Sequence, residues 1–115
     1  MKLHGIVNCD TVRKARAWLD ARGVAYEWVD FRKAPPSSGD LARWCEAVGW
    51  ETLLNRRGTT WRALDEATKA AATNAASAIA LMQARPTLIK RPVLEAGPDV
   101  VVGFAPDDYA ARLKK

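Results

Sequence analysis

The tightest constraint on this fold lies in the first 31 residues, where three element signals follow one another almost without a gap. Lys2-Leu3-His4-Gly5-Ile6-Val7 is a short apolar run of strand length. Asn8-Cys9-Asp10-Thr11 then turns the chain into a basic helix running from about Thr11 to Arg22. In that helix Val12, Ala15 and Leu19, with Trp18 beside them, fall at helical spacing and form a stripe to be buried. Asp10 or Thr11 is the expected N-cap and Gly23 the expected stop. Ala25 to Phe31 alternates and is rich in aromatics, which marks a second strand. A helical crossover between two neighbouring strands makes them parallel, so the chain is committed to a sheet with helices packed on it.

The middle of the chain reads as helical. After the loop Ala34-Pro35-Pro36-Ser37-Ser38-Gly39, with Ser38 or Asp40 as cap, Leu41, Trp44, Cys45 and Val48 recur at i, i+3, i+4 and i+7. Cys45 therefore belongs to a core face, and Gly49 closes that helix. Glu51 to Leu54 is a short helical turn and Asn55 to Thr60 a polar loop, with Thr60 capping a short helix to about Leu64. Asp65 to Ala84, rich in alanine, reads as one helix stopped by Arg85-Pro86. Val93 to Glu95 and Val100 to Phe104 are strands joined by Ala96-Gly97-Pro98-Asp99, an antiparallel hairpin. A terminal helix runs from Ala105 or Asp107 to Leu113.

The order is β-α-β, a helical insertion at about 37–85, then β-β-α. This is the thioredoxin-like α/β arrangement, with a mixed four-stranded sheet. A length of 115 residues suits a single domain, 1–115, with a hydrophobic core and no need of disulfide or metal staples. Two cysteines and one histidine are too few for a zinc cage or a disulfide framework, so no metal and no tightly bound cofactor is expected. No apolar run reaches the roughly 20 residues that cross a bilayer, and no signal-peptide pattern opens the chain. The expected location is the cytoplasm, where thiols stay reduced, and no membrane partner is expected. The net charge of +5 is scattered among acidic neighbours, which speaks against nucleic acid and for small anionic ligands.

Cys9 carries the chemistry. A thiol at a strand-to-helix junction faces unpaired N–H groups and the positive end of the helix dipole. Both favour thiolate, the reactive form, and Arg13, Lys14 and Arg16 add positive charge. His4 reads as a half-buried strand histidine rather than a partner of Cys9.

The run Gly5-Ile6-Val7-Asn8-Cys9-Asp10-Thr11-Val12-Arg13-Lys14-Ala15 resembles the opening of the arsenate reductase and Spx superfamily, in its YffB-type branch. So do Leu54-Asn55-Arg56-Arg57-Gly58-Thr59-Thr60-Trp61-Arg62, Ile89-Lys90-Arg91-Pro92-Val93-Leu94 and Val102-Gly103-Phe104. The resemblance implies that Cys9 is the nucleophile and Arg91 the basic group aimed at the thiolate or a bound anion. It implies that Pro92 is a cis-proline beside the cysteine. Asn8, Asp10, Thr11, Pro92, Arg56 and Arg57 are the candidate substrate-binding residues.

Two departures from the family pattern matter. Thr11 and Val12 stand where a second thiol of Cys-x-x-Cys would fall, which argues against dithiol chemistry and the Spx disulfide switch. The third of the superfamily's anion-binding arginines is missing near Gly103-Phe104, so arsenate binding is expected to be weak. The expected activity is that of a thiol reductase using Cys9 alone, with glutathione as co-substrate and a small oxidised compound or oxyanion as substrate. The alternative is an Spx-like regulator that binds RNA polymerase, or a non-catalytic adaptor.

Overall fold

A computed structural model describes residues 1–113; Lys114 and Lys115, which the expected domain includes, lie outside the described residues. The chain forms two compact units, one of Met1–Ala34 with the chain from Arg91 on, the other of Pro35–Lys90.

The first unit holds a four-stranded sheet in the order β2-β1-β3-β4, from strands Lys2–Gly5 (β1), Glu27–Asp30 (β2), Val93–Ala96 (β3) and Asp99–Val102 (β4). β1 runs parallel to β2, as the crossover requires, and antiparallel to β3, while β3 and β4 pair antiparallel through the hairpin. The sheet is mixed and four-stranded, as expected. Helix α1 (Asp10–Ala21) forms the crossover, and α7 (Pro106–Leu113) ends the described chain; the helices between them belong to the second unit. Side chains alternate across a strand, so Leu3 and Gly5 share one face of β1 and His4 takes the other. Leu3, Leu94 and Val101 meet Ala15 and Leu19 of α1 and Tyr109 of α7 in one buried cluster. Each large apolar side chain buried there contributes roughly 1.5–3 kcal/mol. The rim is closed by cation–π contacts, Arg22 over Trp18 at 3.9 Å and Arg16 over Trp28 at 4.4 Å.

His4 is buried on the opposite face, where its Nε2 lies 2.9 Å from Glu95 Oε1 and its ring stacks on Phe31. The half-buried strand histidine expected from the sequence is thus buried more fully, in a polar pair. The hairpin turn is shorter than the expected four residues, because Ala96 and Asp99 are themselves paired and only Gly97 and Pro98 remain. Gly97 has φ +61°, the left-handed conformation that glycine adopts without a Cβ penalty.

In the second unit, α2 (Ser38–Val48) buries Leu41, Trp44 and Cys45 of the stripe expected from its spacing, while Val48 at its end is half-buried. Its N-cap is Ser37 rather than Ser38 or Asp40; Asp40 sits at the third position and completes a capping box. The short helix α3 (Trp50–Leu53) follows Gly49, and α4 (Thr59–Arg62) is entered through Gly58. Thr60 is inside α4 instead of capping it, and donates its hydroxyl to Thr87 at 3.0 Å. The long alanine-rich helix is in fact two, α5 (Glu66–Ala71) and α6 (Ala75–Ala84). Helix propensity favours continuity here, but Asn74 and Ser77 form a capping box that starts a fresh helix. A single turn of 3₁₀ helix, Pro86–Leu88, then leads to Ile89, which pairs with Leu54.

At Gly5 the strand β1 and the helix α1 approach closely. A Cβ at this position would lie 2.9 Å and 3.3 Å from the two methyl carbons of buried, β-branched Val12. Gly5→Ala is expected to lower stability by about 1–3 kcal/mol through overpacking, measured by urea denaturation. An unchanged midpoint would show that β1 and α1 separate without cost.

Candidate active site

The N-cap of α1 is Cys9 itself, not Asp10 or Thr11, which form the first turn. The helix therefore starts one residue earlier than its stripe suggests, because the extended conformation of Cys9 (φ −123°, ψ 123°) is what an N-cap adopts. Its carbonyl accepts the first intrahelical bond, from the Arg13 N–H at 2.9 Å. The larger sulfur does not close a strict capping hydrogen bond like a serine oxygen, yet the N–H groups of Val12 and Thr11 bear on it.

Sheet pairing brings the second group to this point. Because β3 is antiparallel to β1 with Val93 opposite His4, the residues preceding Val93 run past the carboxyl end of β1. Those residues are Arg91 and Pro92, and Cys9 follows the same end of β1. The Arg91–Pro92 peptide bond is cis, as expected. Pro92 is buried, and its carbonyl accepts the N–H of Gly103 at 2.8 Å. The Gly103 carbonyl in turn accepts the hydroxyl of Tyr109 at 3.3 Å, so the base of α7 holds the chain behind the proline.

Five influences then compete at the sulfur. Burial is the largest and raises the pKa of the thiol. Opposing it are the Val12 N–H, a hydrogen bond from the Arg91 side chain, the Arg91 charge and the Thr11 N–H. Together they prevail, and the Cys9 thiol is held below its ordinary value of 9.0. Cys9 remains partly exposed, so a substrate can reach it. Cys45 is the opposite case: it is buried, and burial alone pushes its pKa up.

The other candidates divide between the units. Asn8, Asp10 and Thr11 flank Cys9 and are exposed. Asp10 is engaged by Arg13 at 2.7 Å, which offsets a carboxylate that would otherwise oppose a thiolate next door. His4 faces Glu95 rather than Cys9. Arg56 and Arg57 belong to the second unit, where with Lys90 they line a cavity of about 310 Å³. Lys90 was not singled out from sequence, because only the Leu54–Ile89 pairing sets it beside a loop more than 30 residues earlier. Among the described residues no cluster of His, Cys, Asp and Glu could hold a metal, and no helix is long and apolar enough to cross a membrane.

The lowered pKa has a definite sign. More of Cys9 is thiolate at neutral pH, so its alkylation by iodoacetamide should reach half-maximum at a lower pH than a free thiol. Arg91→Met should move that midpoint upward and slow alkylation severalfold at pH 7, whereas Arg57→Met should leave it in place. A midpoint that Arg91→Met does not move would mean that the guanidinium does not stabilise the thiolate.

The chain has relatives among known proteins. The ArsC family matches residues 4–112. A solved structure named YFFB protein is 54% identical, with a TM-score of 0.94 and 97% of each chain covered. An uncharacterized protein of Haemophilus influenzae is 36% identical over 109 residues, 95% of each chain. The global transcriptional regulator Spx of Streptococcus mutans is 26% identical over 110 residues, 94% of this chain and 79% of that one. With a thioredoxin-like sheet, a cysteine capping its first helix and an arginine before a cis-proline, the chain belongs to the ArsC family.

Proposed function

We propose that this protein is a thiol reductase that works through Cys9 alone and is turned over by glutathione. The observation that carries this reading is the Cys9 sulfur at the N-terminus of α1, with its pKa lowered by the helix amides and Arg91. The thiolate attacks one sulfur of a disulfide such as a glutathione mixed disulfide, forming a Cys9–glutathione disulfide and expelling the substrate thiolate. A second glutathione thiolate then attacks the glutathione sulfur, releases glutathione disulfide and restores the Cys9 thiolate. The two electrons come from glutathione, one molecule of which ends in each half of the released disulfide. Arg91 and the Val12 and Thr11 amides stabilise Cys9 as nucleophile in the first step and as leaving group in the second. Asn8, Asp10 and Thr11 are exposed beside Cys9 and form the surface on which the glutathione backbone rests.

A single-cysteine route suits the chain because Val12 stands at the fourth position of the Cys-x-x-Cys spacing and Cys45 is a buried core thiol of α2. Arsenate is the weaker substrate reading, since neither Gly103 nor Phe104 offers a cation beside Arg91. The likeness to Spx supports a second reading, a regulator that docks on RNA polymerase. Capture of stoichiometric polymerase by the purified protein, with no glutathione-coupled turnover, would favour that reading.

In a glutathione-coupled assay on a small mixed disulfide, Cys9→Ser should lose at least 100-fold in kcat/KM and Cys45→Ser should stay within twofold of the parent. Full turnover by Cys9→Ser would overturn the proposal.

A further inference from the structure

The second unit carries a concave, positively charged pocket holding Arg56 and Arg57, to which the steps proposed at Cys9 assign no role. It is lined by Glu51, Thr52, Leu54, Asn55, Arg56, Arg57 and Lys90, and its volume of about 310 Å³ is at the lower end of small-molecule sites. Three cations face a single carboxylate there. That carboxylate, Glu51, is largely exposed and among the described residues pairs only with Arg56, at 3.8 Å. Arg56 also leans over the Trp50 ring, 5.9 Å from its centre. Neither Arg57 nor Lys90 forms an ion pair among the described residues.

The backbone around these cations is built, not loose. Leu54 pairs with Ile89, the Asn55 N–H donates to the Leu88 carbonyl at 2.7 Å, and the Lys90 N–H donates to the Leu53 carbonyl at 2.8 Å. These bonds clamp Lys90 alongside the segment that bears the arginines. The Asn55 side chain accepts the Arg57 N–H at 3.1 Å and shapes the turn. Gly58 leaves the space that the Asn55 amide needs, since a Cβ there would lie 2.8 Å from its nitrogen. Like charges gathered by a fixed backbone repel one another, and a bound anion relieves that repulsion. Guanidinium groups grip planar or tetrahedral oxyanions through paired hydrogen bonds, and an ammonium adds a compact point charge.

We propose that this pocket binds a small multivalent oxyanion, with Arg57 and Lys90 as its principal ligands and Arg56 as an accessory one. The shared chemistry is that of phosphate and polycarboxylate groups on small molecules. Glu51 competes for Arg56 and so weakens the site.

The test titrates the ¹⁵N-labelled full chain with pyrophosphate and, separately, with citrate, against sodium chloride at matched ionic strength. Saturable shifts confined to the amides of 51–58 and 90 are expected for at least one of the two anions, and which one identifies the ligand group. Arg57→Gln with Lys90→Gln should weaken binding at least tenfold, and Glu51→Gln should tighten it about two- to fivefold. That last change runs opposite to any loss from misfolding. Cys9→Ser should bind like the parent, which separates this site from the thiol chemistry. Shifts no larger than those from chloride, or unchanged binding by the double variant, would overturn the proposal.

Discussion

Everything the first unit offers chemically depends on one balance, between the burial of the Cys9 sulfur and the positive groups arranged around it. Burial alone would keep the group a neutral thiol. The Val12 and Thr11 amides and the Arg91 guanidinium reverse that preference without exposing the sulfur fully to water. The amides come at no extra conformational cost, because the start of any helix leaves N–H groups unsatisfied. The guanidinium must be delivered from 82 positions away by sheet pairing. Removing either contribution leaves burial less opposed, so the fold and the reactivity of this residue are inseparable.

Delivery of Arg91 follows from the sheet. β1 lies between a parallel and an antiparallel neighbour, so its carboxyl end meets both the start of α1 and the chain entering β3. The two sides of the site are thus set by the same central strand. Packing enforces the pairing: Leu3, Leu94 and Val101 must all reach Ala15, Leu19 and Tyr109, and a shift of one residue would turn each to the wrong face. Gly5 tightens the arrangement, since it lets α1 pass close over β1 where any side chain would press on Val12.

The two cysteines show how position decides chemistry within one chain. Cys9 caps a helix, touches solvent and faces an arginine. Cys45 occupies a helix face beside Leu41 and Trp44, where loss of hydration pushes its pKa up. The first is held toward its thiolate form and the second is a small apolar filler. The pocket at Arg57 and Lys90 extends the same reasoning to cations, whose role depends on whether a carboxylate is near enough to occupy them.

The residues alone determined the parallel crossover, the hairpin, the core stripe of Leu41, Trp44 and Cys45, and the placing of a thiol at the mouth of a basic helix. These are local properties, fixed by hydrophobic period and by glycine and proline punctuation over a few residues. Cys9 as the N-cap and the break at Asn74 eluded that reading, because a capping side chain decides a boundary that propensity leaves open. Arg91 was legible only through family resemblance; periodicity treats it as an ordinary surface arginine. Only the tertiary structure could set it beside Cys9, pair His4 with Glu95 and gather Lys90 with Arg57. Contacts between distant residues arise from strand register and core packing, which no short window of sequence contains.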